Sequence, residues 1–262
     1  MKIDLNGKRA LVCGSTAGIG KASAFALARA GAEVTLLARN RGKLEAVCAE
    51  LPRESGQHHD WIAADFSEPA SVGAAVSGSL AAGYAWQILV NNTGGPPGGR
   101  AIDASPDEYL DAIRAHLINN QTLVQLLLPG FRAAKYGRVI NIISTSVKAP
   151  IPGLGVSNTI RGAVASWAKT IATELAPDGV TVNNILPGFT DTARLESLFH
   201  SKAKRLGQSV QAIQDSAIST IPAGRLGKPE EIAAGVVFLA SSEAAYINGI
   251  NLPIDGGRLP VL

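Results

Sequence analysis

The sequence has few of the features that mark secreted, metal-binding or membrane proteins. Its two cysteines, Cys13 and Cys48, form no metal-ligand pattern, which argues against both a disulfide framework and a metal site. No stretch reaches membrane-spanning length, and the first residues hold no apolar core long enough for a signal peptide. We therefore expect a soluble, cytoplasmic protein that has no membrane partner.

Blocks of like charge and internal repeats are also missing. The formal net charge is only +3 and the basic residues are scattered, so nucleic acid is not an expected partner. There is no low-complexity tract and no linker. A hydrophobic content of 46% over 262 residues is enough to bury one sheet with helices on both faces, which fits a single wound domain.

Strand and helix patterns alternate along the chain. Strands are predicted at residues 10–13, 33–38, 61–64, 88–91, 138–143, 181–186 and 251–254. Helices are predicted between them, at residues 19–30, 41–51, 69–82, 106–134, 154–176 and 229–240. This alternation indicates right-handed βαβ crossovers. The predicted fold is α/β: a single-domain Rossmann fold over residues 1–262, with a doubly wound, seven-stranded parallel sheet covered by helices on both faces.

Residues 191–221 interrupt the alternation before the last βα unit. Residues 201–219 within this stretch are polar and amphipathic. Such a segment is either a lid over the substrate or a surface helix pair, and composition alone leaves both interpretations open.

A glycine-rich turn joins the first predicted strand to the first predicted helix. A backbone that passes close to a pyrophosphate carries no side chains there, and a helix N-terminus offers free N–H groups and a positive dipole end. A structural tight turn is the alternative. The candidate contacts to a dinucleotide are Gly14, Ser15, Thr16, Gly18, Ile19 and Gly20.

The ends of the next strands indicate which dinucleotide binds. Arg39 follows the second strand, where a carboxylate would bind the ribose and an arginine favours a 2′-phosphate, so NADP(H) is expected rather than NAD(H). Asp65, followed by Phe66, is placed after the third strand to bind the adenine amino group. A solvated arginine and a helix cap are the alternatives for Arg39 and Asp65.

Small residues follow the fourth strand, in the run Asn91-Asn92-Thr93-Gly94. Small side chains at the carboxyl end of a strand open the crevice in which a wound sheet binds its ligand. Asn91, Thr93 and Gly94 are therefore further candidates for the cofactor site, although a plain loop has a similar composition.

Taken together, these stretches resemble the short-chain dehydrogenase/reductase family over essentially the whole chain. The segments that carry the resemblance are Gly14-x-x-x-Gly18-Ile19-Gly20, Asn91-Asn92-Thr93-Gly94 in place of the usual N-N-A-G, residues 137–144, residues 182–188, residues 225–233 and Asp255-Gly256-Gly257. The resemblance implies that Pro187, Gly188 and Thr192 lie against the nicotinamide end of the cofactor. It also implies a homotetramer or homodimer, assembled through the two long helices and the last strand with its apolar tail.

The chain departs from the family at the catalytic positions. The family uses an asparagine, a serine after the fifth strand and a Y-x-x-x-K pair on the next helix. Ser144 matches the serine, but the family's spacing then reaches Ser157 and Arg161 instead of tyrosine and lysine, and His116 instead of asparagine. A serine hydroxyl is a much weaker acid than a phenol, and an arginine stays protonated, so Arg161 is suited to holding the nicotinamide ribose or stabilising an oxyanion.

His116 is the one replacement expected to titrate near neutral pH, with a hydrogen-bonded structural histidine as the alternative. The candidate catalytic residues are Ser144, Ser157, Arg161 and His116, and Arg161 is also a candidate cofactor contact. The pattern resembles an atypical branch related to 3-oxoacyl-acyl-carrier-protein reductases.

The replaced catalytic positions leave three alternative hypotheses for the function. The first is an NADP(H)-dependent oxidoreductase acting on a small carbonyl compound or secondary alcohol, which includes a 3-oxoacyl thioester. The second is a catalytically silent cofactor-binding sensor or subunit. The third is a non-redox lyase or hydratase that uses Arg161 to stabilise an anion.

Overall fold

Seven parallel strands form one sheet in the computed structural model, which describes residues 3–261. In chain order they are β1 (Arg9–Cys13), β2 (Glu33–Ala38), β3 (Asp60–Ala63), β4 (Ile88–Asn91), β5 (Gly137–Ile142), β6 (Val180–Pro187) and β7 (Asn251–Ile254). Their order across the sheet is β3-β2-β1-β4-β5-β6-β7. Each predicted strand is confirmed within one residue of its bounds. The order reverses between β1 and β4, and a crevice opens outside the carboxyl ends of the strands at such a reversal.

Helices alternate with the strands, as predicted. In chain order they are α1 (Gly18–Arg29), α2 (Arg41–Glu50), α3 (Pro69–Ala81), α4 (Pro106–Ala112), α5 (Asn119–Ala134), α6 (Gly155–Leu175), α7 (Ala193–Leu206), α8 (Val210–Ile218) and α9 (Pro229–Ala240). Among the described residues, no helix combines the length and apolar composition of a transmembrane span.

The sheet is buried on both faces, which explains why its strands read as continuous apolar runs. Along β1, Ala10 and Val12 pack against α1, α2 and α9 on one face. Leu11 and Cys13 pack against α3, α5 and α6 on the other. Side chains alternate between the faces of a strand, so β1, which is covered on both sides, carries apolar residues at consecutive positions from Ala10 to Cys13.

The predicted helix at residues 106–134 is divided by a π-helical turn at Ile113–Ile118, which separates α4 from α5. A π turn widens the helix and leaves carbonyl groups without their usual helical donors. Nδ2 of Asn119 supplies a donor to the carbonyls of Arg114 (3.1 Å) and Ala115 (3.3 Å), and also to that of Phe66 (2.7 Å). The interruption therefore depends on a side-chain contact with a distant loop, and it places His116 inside the protein.

Residues 191–221 contain the helix pair α7 and α8, which begins at Ala193 rather than at residue 201. Thr192 caps α7 by accepting a hydrogen bond from the Leu195 backbone N–H at 3.3 Å. The two helices share a small core of their own, formed by Leu195, Phe199, Ala203, Ile213 and Ala217. The segment is therefore a pair of helices, and its role as a lid stays a prediction.

A row of asparagine side chains crosses the interior of the sheet. Nδ2 of Asn91 donates to Oδ1 of Asn141, Asn141 donates in the same way to Asn184, and Asn184 donates to Asn251, each at 2.8 Å. These residues are direct register partners on β4, β5, β6 and β7. A slip of any strand by one residue would break the row and leave buried amides unpaired, so the row holds the register.

Replacing Asn141 by leucine should be the most damaging change in this row. It leaves a donor on Asn91 and an acceptor on Asn184 without partners, and we expect the free energy of unfolding to fall by roughly 2 to 4 kcal/mol. Asn251→Leu, at the end of the row, leaves only one donor unpaired and should cost about half as much. Urea denaturation of the two variants measures the difference, and equal losses would contradict the role of the row.

Candidate active site

The glycine-rich turn follows β1 at the point where the strand order reverses. Gly14 and Gly18 have φ values of +58° and +51°, in the left-handed region that favours glycine. A Cβ at Gly20 would collide with the backbone oxygen of Gly14, so α1 packs too closely on the turn for any side chain. Two glycines therefore set the path of the turn, and the third allows the helix to approach it.

The N-terminus of α1 points into the crevice without a capping side chain. Its N-cap residue is Ala17, and its first turn carries no acidic residue. Backbone N–H groups at such a helix end favour a bound anion. Gly18 and Ile19 line the cavity here, and a Cβ at Gly18 would lie 3.2 Å from Cγ2 of Thr192. Ser15, in contrast, is fully buried behind the turn and its hydroxyl has no hydrogen-bond partner among the described residues.

A cavity of about 790 Å³ extends from the turn past the ends of β2 and β3. The candidate cofactor contacts that line it include Thr16, Arg39, Asp65 and Phe66. Oδ1 of Asp65 accepts a hydrogen bond from the Ser67 backbone N–H at 2.9 Å, which, with the charge of Arg39, holds the pKa of that carboxyl below its usual range. Asp65 is not the helix cap, because the N-cap of α3 is Glu68.

A second cavity, of about 400 Å³, continues from the first along the ends of β4, β5 and β6. Thr93 and Gly94 line both cavities, so the two form one crevice across the sheet. The other candidate site residues that line the second cavity are Gly14, Gly18, Ile19, Ser144, Ser157, Arg161, Pro187, Gly188 and Thr192.

Asn91 is a correction to the predicted cofactor site. Its side chain is only 3% exposed and belongs to the asparagine row inside the sheet. Asn92 lines the crevice instead, and its Nδ2 donates to the carbonyls of Cys13 (3.2 Å) and Gly14 (3.3 Å). Neighbouring residues of a strand point in opposite directions, so only one of the two asparagines reaches the crevice.

Ser144, Ser157 and Arg161 come together at the inner end of the second cavity. The hydroxyl of Ser144, just after β5, accepts a hydrogen bond from the Ser146 backbone N–H at 3.0 Å. Ser157 and Arg161 lie one turn apart on α6 and face the same cavity. Nη1 of Arg161 donates to the Ile142 carbonyl at 2.9 Å, which fixes the guanidinium beside the two serines.

Burial lowers the pKa of Arg161 and of His116, which lines the first cavity rather than the second. Burial and the nearby charge of Arg194 lower the pKa of Arg161 to about 10, so Arg161 remains charged at neutral pH. Burial, reinforced by the charge of Arg161, lowers the pKa of His116 to about 2, and a hydrogen bond to the Gly94 backbone only partly opposes the shift. His116 is therefore neutral, contrary to the expectation that it titrates near neutrality.

The sequence interpretation missed two arginines of the second cavity, Arg194 and Arg258. Arg194 follows Thr192 closely and donates from Nη2 to the Pro96 carbonyl. The guanidinium of Arg258 lies 4.4 Å from the centre of the Phe189 ring. A basic residue after β6 was visible in the sequence, but nothing there showed that a residue near the C-terminus reaches the same cavity.

Comparison with known proteins agrees with this architecture. The family model described as Enoyl-(Acyl carrier protein) reductase matches residues 14–258. The 3-oxoacyl-[acyl-carrier-protein] reductase FabG of Vibrio harveyi is 35% identical over 99% of this chain and 100% of its own length.

Solved structures show the same similarity. L-sorbose reductase from Gluconobacter frateurii, complexed with NADPH and L-sorbose, is 30% identical with a TM-score of 0.93, and the match covers 100% of both chains. A 3-oxoacyl (acyl-carrier-protein) reductase from Agrobacterium tumefaciens C58 with NADP bound is 28% identical with a TM-score of 0.86, over 98% of this chain and 96% of that one. The chain therefore belongs to the short-chain dehydrogenase/reductase family.

Proposed function

We propose that the protein is an NADP(H)-dependent oxidoreductase that interconverts a carbonyl compound and a secondary alcohol. The observation that carries the proposal is one continuous crevice, which runs from Arg39 past the glycine turn to Ser144, Ser157 and Arg161. The similar reductases include one for 3-oxoacyl thioesters and one for a ketose, so both carbonyl classes are candidate substrates.

The residues of the crevice fit a dinucleotide phosphate. The uncapped N-terminus of α1 and its glycines suit the diphosphate. Arg39 forms no ion pair among the described residues and supplies the positive charge that a 2′-phosphate would neutralise. Similar structures that hold NADPH or NADP support the same choice, NADP(H) rather than NAD(H). Pro187, Gly188 and Thr192 would border the nicotinamide end.

The chemistry divides between the cofactor and the side chains of the second cavity. NADPH, when bound, supplies the hydride that reduces the carbonyl carbon. The hydroxyls of Ser144 and Ser157 polarise the carbonyl oxygen. The fixed charge of Arg161 stabilises the negative charge that develops on that oxygen, an effect worth roughly 100-fold to 1,000-fold in rate for one well-placed donor.

We propose that the active site is non-standard, with Ser157 and Arg161 at the positions of the family's tyrosine and lysine. A serine is too weak an acid, Arg161 keeps its proton, and His116 is neutral. The proton that reaches the oxygen would then come from water or through a ribose hydroxyl of the bound cofactor. The neutral ring of His116 takes part only as a hydrogen-bonding group.

The same two replacements support a second candidate, a catalytically silent NADP(H)-binding sensor or subunit. Such a protein would keep the glycine turn and Arg39 but would not need an acid in the second cavity. NADPH binding without turnover of any carbonyl is the result that separates the two functions. The same result would leave a non-redox lyase or hydratase as a candidate.

We further propose a lid and an oligomer. Leu195 and Leu198 of α7 line the second cavity, which supports a role for residues 191–221 as a substrate lid. A homotetramer or homodimer is supported by Leu110 and Ile118, which are 45% and 42% exposed on the long helical segment that contains α4 and α5. We place this oligomer in the cytoplasm.

Arg39→Gln should weaken NADPH binding by about 10-fold to 100-fold, the loss expected for a charge-assisted hydrogen bond, and leave NADH binding almost unchanged. Fluorescence titration with both cofactors measures this. Arg41→Gln is the matched control, since Arg41 is exposed at the start of α2 and does not line the crevice. Equal losses for NADPH and NADH would contradict the 2′-phosphate role.

Ser144→Ala and Arg161→Met should each lower kcat about 100-fold or more, because each removes a group that stabilises the developing oxyanion. The assay is NADPH oxidation with a carbonyl panel that includes 3-oxoacyl thioesters and ketoses. Thr159→Ala, an exposed hydroxyl on the same helix, should keep the wild-type rate. A wild-type protein that binds NADPH but reduces no carbonyl would support the silent candidate.

The ring of His116 should show no titration between about pH 5 and pH 8, because its pKa lies at about 2. Nitrogen-detected imidazole spectra measure this, and His116→Gln assigns the signal. The unfolded chain takes up this proton below about pH 6.5 while the folded chain does not, so His116 lowers stability as the pH falls. A midpoint near pH 6.5 would contradict its neutral state.

A further inference from the structure

The second cavity concentrates positive charge and contains no acidic side chain. Its lining includes Arg161, Arg194 and Arg258. None of the three forms an ion pair among residues 3–261. Arg161 is buried, and an unpaired charge away from bulk water is costly; the cost falls when a ligand brings the opposite charge. Arg194 is exposed and Arg258 is half-buried, so water solvates their charges in part.

Two of these guanidinium groups converge on one point. A Cβ placed on Gly95 would lie 3.5 Å from Nη2 of Arg194 and 3.7 Å from Nη2 of Arg161. No carboxylate of the described residues lines the cavity between them, and the charge of Arg194 contributes to the lowered pKa of Arg161. The two like charges therefore repel each other directly.

The hydrogen bonds of these arginines leave donors for a ligand. Arg161 is only 8% exposed and its guanidinium carries five N–H groups, yet its one hydrogen bond among residues 3–261 runs from Nη1 to the Ile142 carbonyl. Arg194, at the mouth of the cavity, is anchored through its bond to the Pro96 carbonyl. Nε of Arg258 is buried and has no hydrogen-bond partner in the described part of the chain. A carboxylate accepts from two guanidinium groups at once with the geometry that arginine prefers.

We propose that Arg161 and Arg194 form a carboxylate-binding subsite beside the reacting carbonyl, so that the substrates are oxo acids and the corresponding hydroxy acids. The identification of the bound acid as the substrate rests on the function proposed above. The carboxylate is held near Gly95 and takes no part in the redox step. The acid is distinguished from a neutral thioester by its charge, and Arg258 adds to the field that attracts it.

The diphosphate of the cofactor is the other anion that can enter this crevice. Its place at the N-terminus of α1 lies against Thr192, whereas the two guanidinium groups meet over Gly95, next to the group that contains Ser144 and Ser157. This separation favours the substrate as the source of the carboxylate, and the experiment distinguishes the two sources.

The test is calorimetric binding of acids and esters to the protein saturated with NADP⁺, which cannot reduce them. The probes are pyruvate, acetoacetate and levulinate, each compared with its methyl ester. We expect at least one acid to bind about 10-fold or more tightly than its ester, with a preference that weakens as salt is added. Equal binding of acids and esters, or no binding of any acid, would overturn the proposal.

Arg194→Met should reduce the preference for acid over ester to about twofold or less, and should leave the Kd of NADPH within about twofold of the wild-type value. Lys202→Met, which removes a positive charge from an exposed position of the same helix, is the matched control and should keep the preference. An Arg194→Met variant that binds NADPH about tenfold more weakly but keeps the acid preference would assign Arg194 to the cofactor and overturn the subsite.

The NADPH oxidation assay separates failure of the subsite from failure of the redox function. Selective binding of an acid without oxidation of NADPH by any carbonyl supports the subsite and contradicts the proposed oxidoreductase function. Oxidation of NADPH with esters or thioesters as fast as with the acids supports the oxidoreductase and overturns the subsite.

Discussion

The row of buried asparagine amides across β4, β5, β6 and β7 is the interaction on which the crevice depends. Each inner amide donates on one side and accepts on the other, so the strands are held in one register. Gly94, Ser144 and Pro187 each lie three positions beyond the asparagine of their own strand. The row therefore brings a loop glycine, a hydroxyl and a proline to the same height at the sheet edge.

Elements outside the strands complete the crevice at this edge. Reversal of the strand order opens the space, α1 presents an uncapped N-terminus to it, and α6 carries Ser157 and Arg161 along one face. The π turn before α5 carries the buried His116, which lines the first cavity within reach of the charge of Arg161. Burial keeps that ring neutral, so the position adds no further positive charge beside the arginine.

Most of the fold could be predicted from the sequence, because both faces of the sheet are covered and each strand is a short apolar run between amphipathic helices. The turn at Gly14 was also predictable, since the close approach of backbone and helix requires glycine. Other features depend on contacts between distant parts of the chain. The π turn needs the bond from Asn119 to Phe66, and Arg258 reaches the cavity from the end of the chain. Neighbouring side chains of a strand point in opposite directions, so only one of Asn91 and Asn92 faces the crevice. The sequence alone does not show which one.

The two roles assigned to Arg161 are compatible because the structure divides its donors. Nη1 is held by the Ile142 carbonyl, which fixes the plane of the guanidinium next to Ser144 and Ser157. Nη2 extends toward Gly95, where Arg194 arrives from α7. A carboxylate seated between the two arginines would lessen their repulsion, and Arg161 would still present a fixed charge to the carbonyl oxygen. Because a guanidinium cannot give up its proton as a tyrosine does, the site must act through position and charge. A substrate that brings its own negative charge is the kind that such a site holds best.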